Sequence, residues 1–224
     1  MNDFFQTSLD SSLSTFENVG TFRNNRIDRT CKFQHVIQRA YRRENLLVGD
    51  VPWYYRSLIE SNCPAYRVLP ICQVIMPNHV HEIYYTDNID NISELRRIAC
   101  CHSTVMMRKY RKKQNYSDIE HLFEPDPGYV AIKDSKQLLT TLKYIRDNDL
   151  FLKEKGDKAP YSCFEYWEKG YFKPYAVDSV SKLFDLTPEK LTELLSMSKD
   201  KVLEFADKYF TEEIQNRDRT IFLK

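Results

Sequence analysis

The sequence predicts an α+β fold with a mostly antiparallel central sheet, flanked by helices and followed by further helices at the C-terminal end. Three observations carry that expectation. Strand-like runs and helical periodicities succeed one another as β-α-β-β-α-β-α before a wholly helical tail, an order that favours this class. The two middle β runs, "YRVLPICQVIMP" and "HVHEIYY", are separated only by Pro77-Asn78, a pair that reads as a turn or as a bulge within one longer strand. Only five glycines occur in 224 residues, which argues against repeats, collagen-like segments and a Gly-rich phosphate loop.

Taken in order, residues 1–22 read as a polar N-terminal arm, residues 23–175 as the main domain and residues 176–224 as a helical C-terminal extension. "CKFQHVIQ" at 31–38 suits a strand. Asp50 with Pro52 in the first turn starts a helix, along which Tyr54, Tyr55, Leu58 and Ile59 recur at helical spacing. Asn91 with Glu94 resembles a capping box opening a helix whose apolar positions are Leu95, Ile98, Ala99, Val105, Met106 and Tyr110. "EPDPG" is a turn and "YVAI" a short strand. The helix from Ser135 to Asn148 carries Leu138, Leu142 and Ile145 as its apolar stripe; Tyr144 and Asn148 fall on the other side, with Gln137 and Thr141. Thr187 caps a helix with Pro188 at its first position, and amphipathic helices are predicted over 188–196 and 199–214.

Hydrophobic residues make up 42% and charged residues 29% of the chain, as in an ordinary globular protein. No apolar stretch approaches the roughly 20 residues that span a bilayer. The Ser- and Asn-rich start lacks the basic and apolar regions of a signal peptide, so a cytoplasmic protein with no membrane partner is expected. Six cysteines (31, 63, 72, 100, 101 and 163) show no CxxC spacing. They read as reduced and mostly buried rather than as a zinc site.

The net charge of +1 hides an uneven distribution. Residues 23–44 hold seven Lys/Arg against two acids, and residues 96–113 hold seven against none, whereas residues 178–218 hold ten acids against six bases. Basic blocks interleaved with aromatics suit a polyanion; solvated helix faces explain the same pattern.

Chemistry concentrates in two places. On a strand, residues i and i+2 share a face, so His79 and His81 present two imidazoles together. Such a pair is a platform for a divalent cation, although on pattern alone satisfied or exposed strand histidines are the commoner outcome. Tyr144 and Asn148, four apart on a helix, are neighbours on one face. The Asn148 amide could supply a third ligand for a hard cation such as Mg²⁺ or Mn²⁺. Tyr144 would then lie one turn away as a nucleophile, a role a phenol of ordinary pKa near 10 fills only with help.

With those residues assembled, "VIMPNHVH" at 74–81 resembles the HUH strand of the REP-associated tyrosine transposases, in the IS200/IS605-like group of single-tyrosine HUH enzymes. "FQHVIQRAYRREN", "SELRRIACCHSTVMMRKY", "LLTTLKYIRDN" and "APYSCFEYW" are similar to other segments of that family, in the same order, over residues 31–185. The resemblance implies a ferredoxin-like HUH fold and a transposase that cuts and rejoins single-stranded DNA through a 5′-phosphotyrosine intermediate. It makes Tyr144 the nucleophile, His79, His81 and Asn148 the ligands of Mg²⁺ or Mn²⁺, and Arg39, Arg42, Arg43, Arg108 and Lys109 the DNA-binding residues. The partner would be single-stranded DNA with a hairpin, a REP-like or palindromic end, bound by a monomer or homodimer. The chain departs from the family pattern at Ala40, where glycine is usual, at Glu82, where leucine is usual, at Asp149, where proline is usual, and in the acidic "FEPDPGY". The alternative, should the acidic turn and Glu82 spoil the site, is a domesticated protein that binds DNA or RNA hairpins with weak or no cleavage. A zinc metallohydrolase built on His79 and His81 is a third reading.

Overall fold

Strands that alternate two sets of side chains need cover on both faces, and the topology supplies it. The computed structural model describes residues 28–209. In it β1 (Phe33–Arg39), β2 (Leu69–Ile75), β3 (His79–Tyr85), β4 (Gly128–Ile132) and β5 (Tyr161–Ser162) form one sheet in the order β4-β1-β3-β2-β5. Every neighbouring pair is antiparallel. With helices α1 (Val51–Asn62) and α2 (Ile89–Lys113), the first four strands run βαββαβ. β3 lies between β1 and β2, and β1 between β3 and β4, which is the split-βαβ, ferredoxin-like arrangement. The α+β class is as expected. The polar arm over 1–22 and the end of the helix expected over 199–214 lie outside the described residues.

Pro77-Asn78 is a turn. Met76 N–H donates to the His79 carbonyl at 2.8 Å, closing the β2–β3 hairpin, and the Pro77 and Asn78 carbonyls accept from Leu47 N–H and Ala40 N–H at 2.9 and 2.8 Å. The irregularity falls instead in β2, where the register shifts between Pro70 and Cys72, because proline has no N–H to give the ladder.

Helices α1 and α2 cover the sheet face that carries Gln38 and Glu82, to which they send Tyr55 and Arg96. The buried stripe of α2 is Ile92, Leu95, Arg96, Ala99, Ser103 and Met107, at three- and four-residue spacing. Val105, expected in that stripe, is 53% exposed. The helix also begins earlier than expected: Asn88, not Asn91, is the cap, its side chain accepting from Asp90 N–H at 3.1 Å.

The opposite face is covered by α3 (Ser135–Glu154), capped by Asp134, whose carboxylate accepts from Gln137 N–H at 2.7 Å. Leu138, Leu142 and Ile145 are buried, each side chain stabilising the fold by about 1.5–3 kcal/mol. The short helix α4 (Cys163–Trp167) and helices α5 (Val177–Leu183), α6 (Pro188–Ser196) and α7 (Lys199–Tyr209) follow. Lys143 Nζ donates to the Leu195 carbonyl of α6 at 3.2 Å, and Lys136 pairs with Asp207 of α7. Helix α3 is therefore a middle layer, and its face away from the apolar stripe is covered as well. Tyr144 is half-buried rather than a surface aromatic.

Candidate active site

Cross-strand register builds the site. Arg39 pairs with His79 and Ile37 with His81, so Arg39, Ile37, His35, His79 and His81 share the face beneath α3. His79 Nε2 lies 3.0 Å from His81 Nε2, with the two rings nearly perpendicular at 86°. His79 Nδ1 is 2.6 Å from Asn78 Oδ1, and His81 Nδ1 is 3.1 Å from His35 Nε2.

A cation held at about 2.1 Å with bonds at right angles keeps two ligand atoms about 3.0 Å apart. The two Nε2 atoms therefore fit neighbouring positions on one ion. Among the described residues no group of three or more His, Cys, Asp or Glu is arranged to hold a metal, so the further ligands available within them are an amide, water or a phosphate oxygen. That donor set suits Mg²⁺ or Mn²⁺ better than the closed nitrogen and sulfur shell of structural zinc.

Tyr144 projects from α3 onto this pair. Its ring centroid is 5.6 Å from that of His81 and 6.2 Å from that of His35, edge-on to both. Burial holds the phenol pKa above its ordinary value, a rise that a hydrogen bond from the Asn148 side chain and the charge of Arg39 offset only in part. Asn148 Nδ2 also donates to the Tyr144 carbonyl at 3.0 Å. Asn148 is thus held through its Nδ2, the amide atom other than the oxygen expected as third ligand.

Burial, with lesser repulsion from Arg39, holds His79 neutral down to about pH 4. Burial and then the charge that would form on His79 hold His35 neutral down to about pH 3. In an unfolded chain both protonate near pH 6.5. Below that pH the unfolded chain binds more protons than the folded one, so stability falls as pH falls from 6.5 toward 4 and then 3. In EDTA, the melting temperature is expected to drop between pH 6.5 and 5, above most carboxylate titration. A flat profile over that interval would show ordinary histidine titration.

The expected DNA-binding residues divide. Arg39 lies beside the histidines, its guanidinium pKa lowered by burial and by Arg43, and raised by Glu124 and Tyr144. Arg42 and Arg43 occupy a short 3₁₀ turn at Tyr41–Arg43 and are exposed, with left-handed φ of 55° and 57°. Ala40 itself is extended, φ −65° and ψ 151°, so the alanine in the family's glycine position is unstrained. Arg108 and Lys109 are exposed on α2, which packs on the other sheet face, and Arg108 is held by Asp118 through two bonds of 3.1 and 2.7 Å. The basic block of α2 is not one open surface: Arg96 is buried and Arg97 pairs with Glu94.

The acidic turn closes onto β1. Glu124 N–H donates to the Arg39 carbonyl at 2.9 Å, and Gln38 Nε2 donates to the Glu124 carbonyl at 2.7 Å. Glu82 points away from the histidines into the α1–α2 face. His35 and Asn78, which organise the histidine pair, were not singled out in the sequence. His35 lies on the correct face of β1 by alternation, but its place beside His81 depends on a register the sequence does not state.

No protein-family model and no curated protein matches the chain. Among solved structures, the chain is similar to a protein of Deinococcus radiodurans described as a candidate transposase, with 16% identity over 51% of this chain and 88% of that one and a TM-score of 0.37. It is also similar to a REP-associated tyrosine transposase solved with a REP hairpin, with 16% identity over 59% of this chain and 73% of that one and a TM-score of 0.40. Neither similarity is close enough to carry function, which must be argued from this chain's own residues.

Proposed function

We propose that this protein is a single-tyrosine HUH transposase that cleaves and rejoins single-stranded DNA beside a hairpin. The observation that supports this most is the packing of Tyr144 against His81 of its own chain, where two Nε2 atoms converge at cation-ligand separation. In the reaction, Tyr144 Oη attacks the scissile phosphorus and the P–O3′ bond breaks. The phenolic proton is released while the leaving 3′ oxygen takes one up, leaving a 5′-phosphotyrosine and a free 3′-OH. One phosphoester bond replaces another, so rejoining needs no ATP. A Mg²⁺ or Mn²⁺ ion on His79 and His81 would polarise the phosphate. Arg39, beside His79 and Tyr144, would add positive charge at the same place, and Arg42 and Arg43 would contact the phosphate backbone.

The test is a denaturing gel of the full chain with labelled hairpin-bearing single-stranded DNA and Mn²⁺. A covalent adduct is expected. Binding without an adduct under any divalent ion would replace this reading with that of a hairpin-binding protein.

The same packing predicts catalysis in cis, since α6 and α7 hold α3 against its own sheet. Mixing His79→Ala with Tyr144→Phe is expected to restore no adduct above the sum of the two variants. Restoration would mean that the tyrosine helix serves a partner's site.

A further inference from the structure

Three imidazoles and one amide form a single row across β1 and β3: His35, His81, His79 and Asn78, with successive contacts of 3.1, 3.0 and 2.6 Å. We infer that His35 is a positioning residue for the cation pair: it accepts the Nδ1 proton of His81 and so frees His81 Nε2 to bind. This rests on reading His79 and His81 as the cation ligands.

Proton counting along the row leads to this. A neutral imidazole has one N–H and one lone pair. Asn78 Oδ1 only accepts, so His79 carries its proton on Nδ1 and turns a lone pair on Nε2 toward His81. Two arrangements remain. In the first, His81 donates from Nε2 to His79 and accepts at Nδ1 from His35 Nε2–H. Every contact is then satisfied, and the Nε2 atoms are bonded to each other rather than available to a cation. In the second, His81 donates from Nδ1 to His35 Nε2, and both ligand lone pairs face the same point.

Only the second arrangement can take an ion, and it needs an acceptor at the His35 position. Without one, the His81 Nδ1–H is an orphaned buried donor, a state native proteins avoid, and His81 keeps its proton on Nε2. His35 is 5% exposed, so water is a poor substitute. The centroids of the two rings lie 5.3 Å apart and their planes are within 27° of parallel, so the rings meet edge to edge, as a bond between His81 Nδ1 and His35 Nε2 requires. A partner to the second nitrogen of a metal-binding histidine sets affinity by about 10–100-fold. Here that partner is another imidazole, so cation binding shifts the tautomers of both rings together.

Two measurements on the full chain test this. The first is Mn²⁺ affinity by electron paramagnetic resonance for the parent, His35→Leu, His35→Gln and His81→Ala. His35→Leu is expected to bind about 10–100-fold more weakly, and His35→Gln, whose amide oxygen can accept the same proton, within a few fold of the parent. Parental affinity in His35→Leu, with affinity lost in His81→Ala, would overturn the role of His35 and leave the cation reading standing. A parent that binds no Mn²⁺ would overturn both. The second is ¹⁵N NMR of the imidazole nitrogens with and without Mg²⁺, which decides the matter even if His35→Leu fails to fold. The His81 proton is expected on Nε2 without the ion and on Nδ1 with it, opposite an unprotonated His35 Nε2. A His35 Nε2 that remains protonated with Mg²⁺ bound would overturn the inference.

Discussion

Tyr144→Phe is expected to form no covalent adduct with hairpin-bearing single-stranded DNA, a loss of roughly 10⁴-fold or more, as removal of a nucleophile gives, while still binding it. The substitution removes one oxygen and little else. The edge-on contacts of the ring with His81 and His35, at 5.6 and 6.2 Å, need only the ring, and the position is packed against the core. The phenol oxygen shares a hydrogen bond with the Asn148 side chain, whose loss should change stability by about 1 kcal/mol. Neighbouring hydroxyls are poor replacements: Thr141 donates to the Gln137 carbonyl at 2.7 Å and Thr140 to the Lys136 carbonyl at 3.0 Å. An adduct of parental yield from Tyr144→Phe would remove this residue from the nucleophile's role. Loss of binding together with the adduct would point to a damaged surface.

The parts of the site legible in the sequence are those fixed by local periodicity. Alternation puts His79 and His81 on one face, and the i, i+4 relation puts Asn148 beside Tyr144. Alternation also places Glu82 on the far face, although next to the histidines in sequence it read as a threat to them. What could not be read depends on pairing between distant segments. His35 meets His81 because β1 lies against β3 in one particular register. Tyr144 meets the histidines because its side of α3 faces the sheet, where Gln137 Nε2 of the same side donates to the Ala131 carbonyl of β4, so that polar side faces protein rather than water. Charge was legible as composition but not as surface: Arg96, counted in a basic block, lies 2% exposed in the core.

That arginine carries the largest expected effect on stability. Glu82 accepts from Arg96 Nε at 2.9 Å and Tyr55 Oη at 3.2 Å on one oxygen, and from Gln73 Nε2 at 2.8 Å on the other. Arg96 Nη2 donates to Gln38 at 3.1 Å. The network joins β1, β2, β3, α1 and α2, and burial together with the Glu82 charge keeps the Tyr55 phenol protonated as a donor. Glu82 is fully buried, and a buried carboxylate that loses its cation is left uncompensated. Arg96→Met is therefore expected to destabilise the fold by about 3–5 kcal/mol, a fall in melting temperature of roughly 6–20 °C for a domain of this size. Adding Glu82→Leu should recover part of the loss, because removing both charges also removes their desolvation cost. The network lies across the sheet from His79 and His81, so below its melting temperature Arg96→Met should keep parental Mn²⁺ affinity. Lost affinity in a folded Arg96→Met would mean that the two faces of the sheet are coupled, with Glu82 reaching the cation pair through the strand it shares with both histidines.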